Sequence, residues 1–264
     1  MSEDRSRVWA ADMSAAYDRY LVPAVFRPFA DDLAARVARH RPRRVLELAA
    51  GTGALTQALT ALPGTEVVAT DLNTAMVEVG SARVPAATWR AADAMDLPFE
   101  DDEFDLVACQ FGVMFFPDRP GAYGQIARVL RPGGRFLFNS WGPLAAHEVE
   151  AAVIDALAGC FPDDPPTFLA RVPHGYSDAD RIRADLAAAG LRSAEVETVD
   201  AVCRADSALD LATGYCRGTP LRFEIEARGD LESTTRAVEA FLAERYGPGP
   251  VAGRMSALVV SAAN

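Results

Sequence analysis

Between Val45 and Ser140, short apolar runs and segments of helical period alternate five times, and no other feature limits the possible folds so much. The first run, Val45-Leu46-Glu47-Leu48-Ala49, leads straight into Gly51-Thr52-Gly53. After it Ala54, Leu55, Ala58, Leu59 and Leu62 recur at helical spacing. Pro63-Gly64 stops that helix, and Glu66 to Thr70 reads as a second strand closing on Asp71. A helix from about Thr74 to Ala82 follows, then a third strand around Thr88 to Ala92 closing on Asp93. Strands over Phe104–Cys109 and Arg135–Ser140 flank a helix at 121–131, and Pro132-Gly133-Gly134 forces a turn before the last of them. Strands that are apolar along their whole length are covered on both faces. The cadence therefore predicts an α/β fold, a parallel sheet with helices on both sides.

The flanking segments read differently. Phe26, Phe29, Leu33 and Val37 predict an amphipathic helix over 23–39, beginning at Pro23. Past the fifth strand, Val149, Ala152, Val153, Ala156 and Leu157 mark a helix, and a proline-rich loop runs from Pro162 to Pro166. Ser177, with Asp180 three residues on, reads as the start of a helix that Gly190 stops. A strand over Ala194–Val199, two helical segments within 207–246, a stiff Gly247-Pro248-Gly249-Pro250 break and a last strand over Met255–Ala262 complete the chain.

Composition narrows the function classes. Among 264 residues the formal net charge is -11, which argues against a nucleic-acid partner, because phosphate backbones reward Lys/Arg surfaces. The one basic cluster, Arg39-His40-Arg41 with Arg43 and Arg44, reads as a solvated helix end. No apolar run approaches the roughly 18 residues of a membrane span, and the polar Met1–Arg5 start has no apolar signal core behind it. A cytoplasmic protein without membrane insertion is expected. Cys109, Cys160, Cys203 and Cys216 are scattered, and His40, His147 and His174 lie far apart in sequence, so no metal site or disulfide framework is expected.

Chemistry concentrates at three strand ends. Glycines in the Ala49-Ala50-Gly51-Thr52-Gly53 turn let the backbone approach a ligand, and the helix beginning at Gly53 offers N–H groups. Asp71, 20 residues after Gly51, is placed to take both hydroxyls of a ribose. Asp93, with Ala94 and Met95, is placed to bond an adenine amino group beside apolar cover. Open α/β sheets bind ligands at this carboxyl edge.

On these residues the chain resembles the class I S-adenosylmethionine-dependent methyltransferases, in particular the small-molecule branch that includes the ubiquinone/menaquinone biosynthesis methyltransferases. Val45 through Gly53 is similar to that family's first motif. Phe104-Asp105-Leu106-Val107 and Leu130-Arg131-Pro132-Gly133-Gly134 are similar to its later ones. The resemblance implies a Rossmann-like, seven-stranded mixed sheet in the order 3-2-1-4-5-7-6 with the last strand antiparallel, helices on both faces and a helical lid. It implies a single methyltransferase domain over 1–264, with an N-terminal helical cap at 1–40, a cofactor-binding core at 43–142 and lid insertions at 143–190 and 205–247. It implies S-adenosyl-L-methionine as cofactor and a small molecule as methyl acceptor, in a monomer or homodimer.

Residue by residue, the resemblance puts Glu47, Ala49, Gly51 and Gly53 along the methionine end of the cofactor. Asp71 would hold the ribose with Leu72 and Met76 nearby, Asp93, Ala94 and Met95 would frame the adenine, and Gln110 and Phe111 would lie beneath. Tyr17 and Tyr20 fall in a segment that folds over the cofactor in relatives. Where Ala49 stands the family usually has glycine; the added methyl is tolerable at negative φ. The apolar residues Phe161, Phe168, Leu169, Leu209, Leu211, Tyr215 and Phe223 predict an acceptor pocket under the lid. Phe111, Met114, Phe115 and Phe116 read equally as pocket lining or core. Trp141 and Tyr176 read first as packing, and so do His147 and His174, which are also the candidates for a general base. Two rivals have different weaknesses. A nicotinamide dehydrogenase shares the glycine loop but leaves Glu47 and Asp93 unexplained, and a non-catalytic cofactor-binding module shares every motif and would lack turnover.

Overall fold

The computed structural model describes residues 11–247 and 249–264, so the Met1–Arg5 start and Pro248 of the stiff break lie outside it. Seven strands form one sheet: β1 (Arg44–Leu48), β2 (Glu66–Asp71), β3 (Thr88–Ala91), β4 (Phe104–Gln110), β5 (Leu130–Trp141), β6 (Arg192–Ala205) and β7 (Val251–Ala263). Their order is β3-β2-β1-β4-β5-β7-β6, as expected. β1 runs parallel to β2 and β4, with Val45 opposite both Val67 and Leu106. β7 runs antiparallel to β5, with Val260 opposite Phe138.

The helices are α1 (Ala11–Ala16), α2 (Arg27–His40), α3 (Ala54–Thr60), α4 (Thr74–Arg83), α5 (Arg119–Val129), α6 (Glu148–Cys160), α7 (Phe168–Arg171), α8 (Ala179–Ala188), α9 (Ala208–Gly218), α10 (Leu221–Glu226) and α11 (Leu231–Tyr246). Among the described residues no helix is long and apolar enough to cross a membrane. The chain divides into two compact units. A sheet unit comprises Phe29–Trp141, Tyr176–Val199 and Ala257–Asn264. A helical unit comprises Gly142–Gly175, Asp200–Ser256 and the described part of Met1–Pro28.

The sheet unit's core follows from helical spacing. Ala30, Leu33, Ala34 and Val37 of α2 share one face and bury against Val45, Leu106, Ala108, Leu137 and Val259 of the strands. Leu55 and Leu59 of α3 join the same cluster. Truncating a fully buried leucine such as Leu33 to alanine costs about 2–5 kcal/mol in cores of this kind.

Four local expectations are corrected. Pro23 does not start a helix; it lies inside a wide-wound segment, Tyr17–Phe26, in which the Arg27 N–H donates to the Val22 carbonyl five residues back. Proline lacks an N–H and crowds the preceding turn, and wider winding accommodates both defects. The helix expected from Ser177 is capped instead by Asp178, whose side chain accepts from the Asp180 and Arg181 N–H groups. The two helices expected over 207–246 are three, with Thr219-Pro220 and Asp230 as break points. Asp230 accepts the Ser233 N–H at 2.8 Å. Pro132-Gly133-Gly134 lies within β5 rather than before it, where the pairing with β4 shifts register between Phe104 and Leu106.

Candidate functional site

The carboxyl ends of β1 and β2 are stitched together by backbone donors. The Ala50 N–H donates to the Thr70 carbonyl at 2.9 Å, and the Thr70 hydroxyl donates to the Glu47 carbonyl at 2.8 Å. Asp71 locks the glycine turn: one carboxylate oxygen accepts the Gly51 N–H at 2.9 Å and the other the Asn73 N–H at 2.9 Å. Each oxygen keeps a further lone pair for a ligand. Gly51 adopts φ 56°, and a Cβ built there would meet nothing within 4 Å, so the left-handed backbone favours glycine and the turn faces open space.

Burial raises the pKa of Asp71, and the N–H groups of Asn73, Gly51 and Leu72 counter it only in part. Glu47 is almost wholly buried. Desolvation pushes its pKa to about 8, Thr56 beside it offsets part of this, and the charge of Asp71 adds to it. Among the described residues Oε2 of Glu47 has no hydrogen-bond partner. At the next strand end Asp93 is exposed and its side chain accepts the Met95 N–H at 2.9 Å; Ala94 and Met95 are half-buried. Leu72 is 41% exposed, an unusual position for a leucine, whereas Met76 is buried.

Two residues of this edge carry positive φ without being glycine. Ala49 sits at φ 51°, which corrects the expectation of a negative φ. A left-handed alanine costs about 1–2 kcal/mol, and its methyl group needs space as well. Gly112 supplies that space: a Cβ added there would lie 2.5 Å from the Ala49 Cβ and 2.6 Å from the Cys109 sulfur. Phe111 sits at φ 49°, its N–H donating to Oδ1 of Asn139 at 2.9 Å. Its ring stacks on Trp141 with centroids 3.5 Å apart, and Phe29 meets both rings edge-on. Gln110, half-buried, closes β4 just before it.

A family model described as a methyltransferase domain matches residues 46–138, the stretch that holds all these strand ends. Over these residues the chain is similar to that family. The chain is 38% identical over 135 residues to the demethylmenaquinone methyltransferase of Clavibacter sepedonicus, covering 48% of this chain and 54% of that protein. It is 37% identical over 148 residues to the malonyl-[acyl-carrier protein] O-methyltransferase of Halorhodospira halophila, covering 52% and 49%. The chain thus spans about half the length of these curated relatives. Its fold is similar to that of Haemonchus contortus phosphoethanolamine N-methyltransferase 2, solved with phosphomonomethylethanolamine and S-adenosylhomocysteine. The TM-score is 0.62 at 18% identity, covering 98% of this chain and 59% of that one.

Not every residue expected at the site belongs to the unit that carries these strand ends. Tyr17 and Tyr20 fall in the helical unit, both half-buried, Tyr17 against Phe26 at 4.9 Å and Tyr20 under the Arg19 guanidinium at 5.2 Å. Tyr176 is fully buried packing of the sheet unit: its hydroxyl donates to Asp185 at 2.9 Å and accepts from Tyr123 at 3.2 Å. Met114 and Phe116 are buried, and only Phe115 of that apolar cluster is exposed.

The histidines lie closer together than their spacing in sequence suggested. His147 and His174, distant in sequence, meet in the helical unit with ring centroids 4.5 Å apart, and the buried Glu150 lies between them. Burial holds the His147 imidazole down at about 4, against the charge of Glu150. Burial also works against a charged His174, but the hydrogen bond and charge of Glu150 and the Gly142 carbonyl outweigh it, so its pKa is raised. Glu150 carried no signal as a single residue. Its only mark in the sequence was the three-residue spacing from His147, which puts both on one side of a helical turn.

Proposed function

We propose that the chain is a cytoplasmic enzyme that transfers a methyl group from S-adenosyl-L-methionine to a small-molecule acceptor by in-line displacement. One observation carries the reading: Asp71 fixes the Gly51 N–H from across the strand ends, so that a turn facing open space and a carboxylate form one rigid element. The residues fit the cofactor. The buried oxygen of Glu47 without a partner suits a cationic amino or sulfonium group, and Asp71 retains acceptor sites for two ribose hydroxyls. Leu72, Met76 and Met95 supply apolar cover for a purine, and Asp93 supplies its acceptor. Ala49, Gly51 and Gly53 bring backbone to the methionine end, with Gln110 and Phe111 behind them.

A sulfonium brings its methyl group already activated. The protein's part is then to hold donor and acceptor in line and to exclude water. The relatives named above differ in the acceptors their names give, so the proposal stops at a small molecule, with selectivity assigned to the helical unit. The net charge of -11 supports a neutral or cationic metabolite over a nucleic acid, and the proposal admits a monomer or a homodimer. Calorimetry with S-adenosylhomocysteine in excess chelator, followed by a product screen with methyl-labelled cofactor, tests it. One molecule bound per chain is expected, and a folded protein that releases no heat and transfers no label sinks the proposal.

A further inference from the structure

Outside the strand ends, the densest group of chemistry-bearing side chains is His147, Glu150 and His174. All three are buried, with exposures of 3%, 6% and 7%. One ligand atom from each lies within 4.8 Å of the others, and all three residues belong to the helical unit. His174 Nδ1 lies 2.8 Å from the Gly142 carbonyl, an acceptor, so this nitrogen carries the proton and donates it. Nε2 then presents a lone pair to Oε2 of Glu150 at 3.0 Å. Two acceptors that close need a cation between them.

A proton could serve one histidine. It does not account for the second, His147, whose Nδ1 lies 3.7 Å from the same carboxylate oxygen. The His174 imidazole is thereby oriented by a main-chain group, and Gly142 is itself fixed, its N–H donating to the Ser256 carbonyl at 2.9 Å. An imidazole held by a carbonyl through its far nitrogen, facing a carboxylate with a second imidazole beside it, has the support that metal-binding histidines receive. Among the described residues no lysine or arginine lies within ion-pair distance of Glu150, so the buried charge has no other permanent cation.

We propose that His147, Glu150 and His174 bind one divalent transition-metal ion of the zinc class, a site separate from the strand-end site and independent of the methyl-transfer reading. Two imidazole nitrogens and a carboxylate oxygen suit that class, with bonds of about 2.0–2.2 Å and a fourth position left to water. Tetrahedral bonds of that length put ligand atoms about 3.4 Å apart. Closing the present spacing needs only side-chain rotation. The short His147-x-x-Glu150 step and the fixed Gly142–Ser256 pair would make the ion a clamp between the start of α6 and the segments on either side.

The test uses the full chain without a polyhistidine tag. Mass-spectrometric metal analysis is made on the protein as purified, and again after zinc loading and gel filtration. Cobalt(II) uptake is followed by its d–d absorption. About one ion per chain is expected, with a four-coordinate cobalt spectrum, and Glu150→Gln and His174→Asn are each expected to lower affinity about tenfold or more. If either variant fails to fold, the wild-type content and cobalt spectrum decide. Fewer than about one ion in ten chains after loading overturns the proposal and leaves an imidazolium–carboxylate pair. Binding that survives intact in both folded variants overturns it as well.

Discussion

The two compact units solve the same problem, a buried or half-buried carboxylate, in opposite ways. In the sheet unit Asp71 is held by main-chain donors from its own neighbourhood, Gly51 and Asn73, which belong to one strand-turn-helix pattern. In the helical unit Glu150 is held by side chains, His147 and His174, and the orientation of His174 depends on the main chain at Gly142. Backbone donors come with the fold and cannot be substituted away, whereas a side-chain cluster can lose a member or bind an ion. Under the two proposals, the first arrangement takes a ligand's hydroxyls and the second a cation.

The largest effect is expected at Asp71. A charge-assisted hydrogen bond to a ligand contributes about 1.5–3 kcal/mol, so losing two of them in Asp71→Ala should weaken S-adenosylhomocysteine binding at least about a hundredfold. Asp71→Asn, which keeps the shape, should lose less. Glu150→Gln should leave that affinity unchanged. If calorimetry finds the two carboxylates equally important to the ligand, the division between the units is wrong.

Glu47 should show in stability against pH. Its native pKa, about 8, lies above the ordinary 4.5, so the unfolded chain releases this proton first as pH rises. Stability is therefore fully present below about 4.5 and is lost progressively up to about 8, at no more than about 1.4 kcal/mol per pH unit. His147, with its pKa lowered to about 4, acts with the opposite sign between there and its ordinary 6.5. The informative quantity is thus the difference between wild type and Glu47→Gln in denaturant titrations. That difference should fall with pH across the window for wild type relative to the variant, and a flat difference means Glu47 is ionised in the native state.

Gly112→Ala should cost about 1–3 kcal/mol by overpacking, because the new methyl meets the Ala49 Cβ and the Cys109 sulfur. Adding Ala49→Gly removes the first clash and the left-handed strain, so the double variant should recover part of the loss. Additive effects in a thermal-unfolding cycle would show that the two positions do not touch. This pair marks the limit of what the sequence disclosed. Strand ends were legible because each residue sits within a few positions of the glycine or acid that announces it, and the order of strands was implied by the family those motifs resemble. The sign of φ at Ala49 depends on room made by Gly112, some sixty residues away. Likewise the histidine cluster joins segments that only the folded backbone brings together: the spacing of His147 and Glu150 was visible, but nothing in the sequence pointed to His174 as their partner.

The smallest effect on stability, and the one closest to function, concerns acceptor selection. The sequence suggested Phe168 and Tyr215 as pocket residues, but both are buried in the helical unit, with exposures of 8% and 6%. Replacing either by alanine would open a cavity costing about 3–5 kcal/mol, and any kinetic change would be confounded by loss of packing. Leu209 and Phe223, two large apolar residues of the same unit, are 48% and 44% exposed. Their alanine variants should change stability by only about 0.5 kcal/mol, as exposed substitutions do. If the helical unit selects the acceptor, Leu209→Ala and Phe223→Ala should raise the acceptor's KM severalfold while S-adenosylhomocysteine affinity and the melting temperature stay put. An unchanged KM with a shift in sedimentation toward a smaller species would mean that these side chains serve a contact between copies of the chain. The assignment of selectivity to this unit would then lose its support.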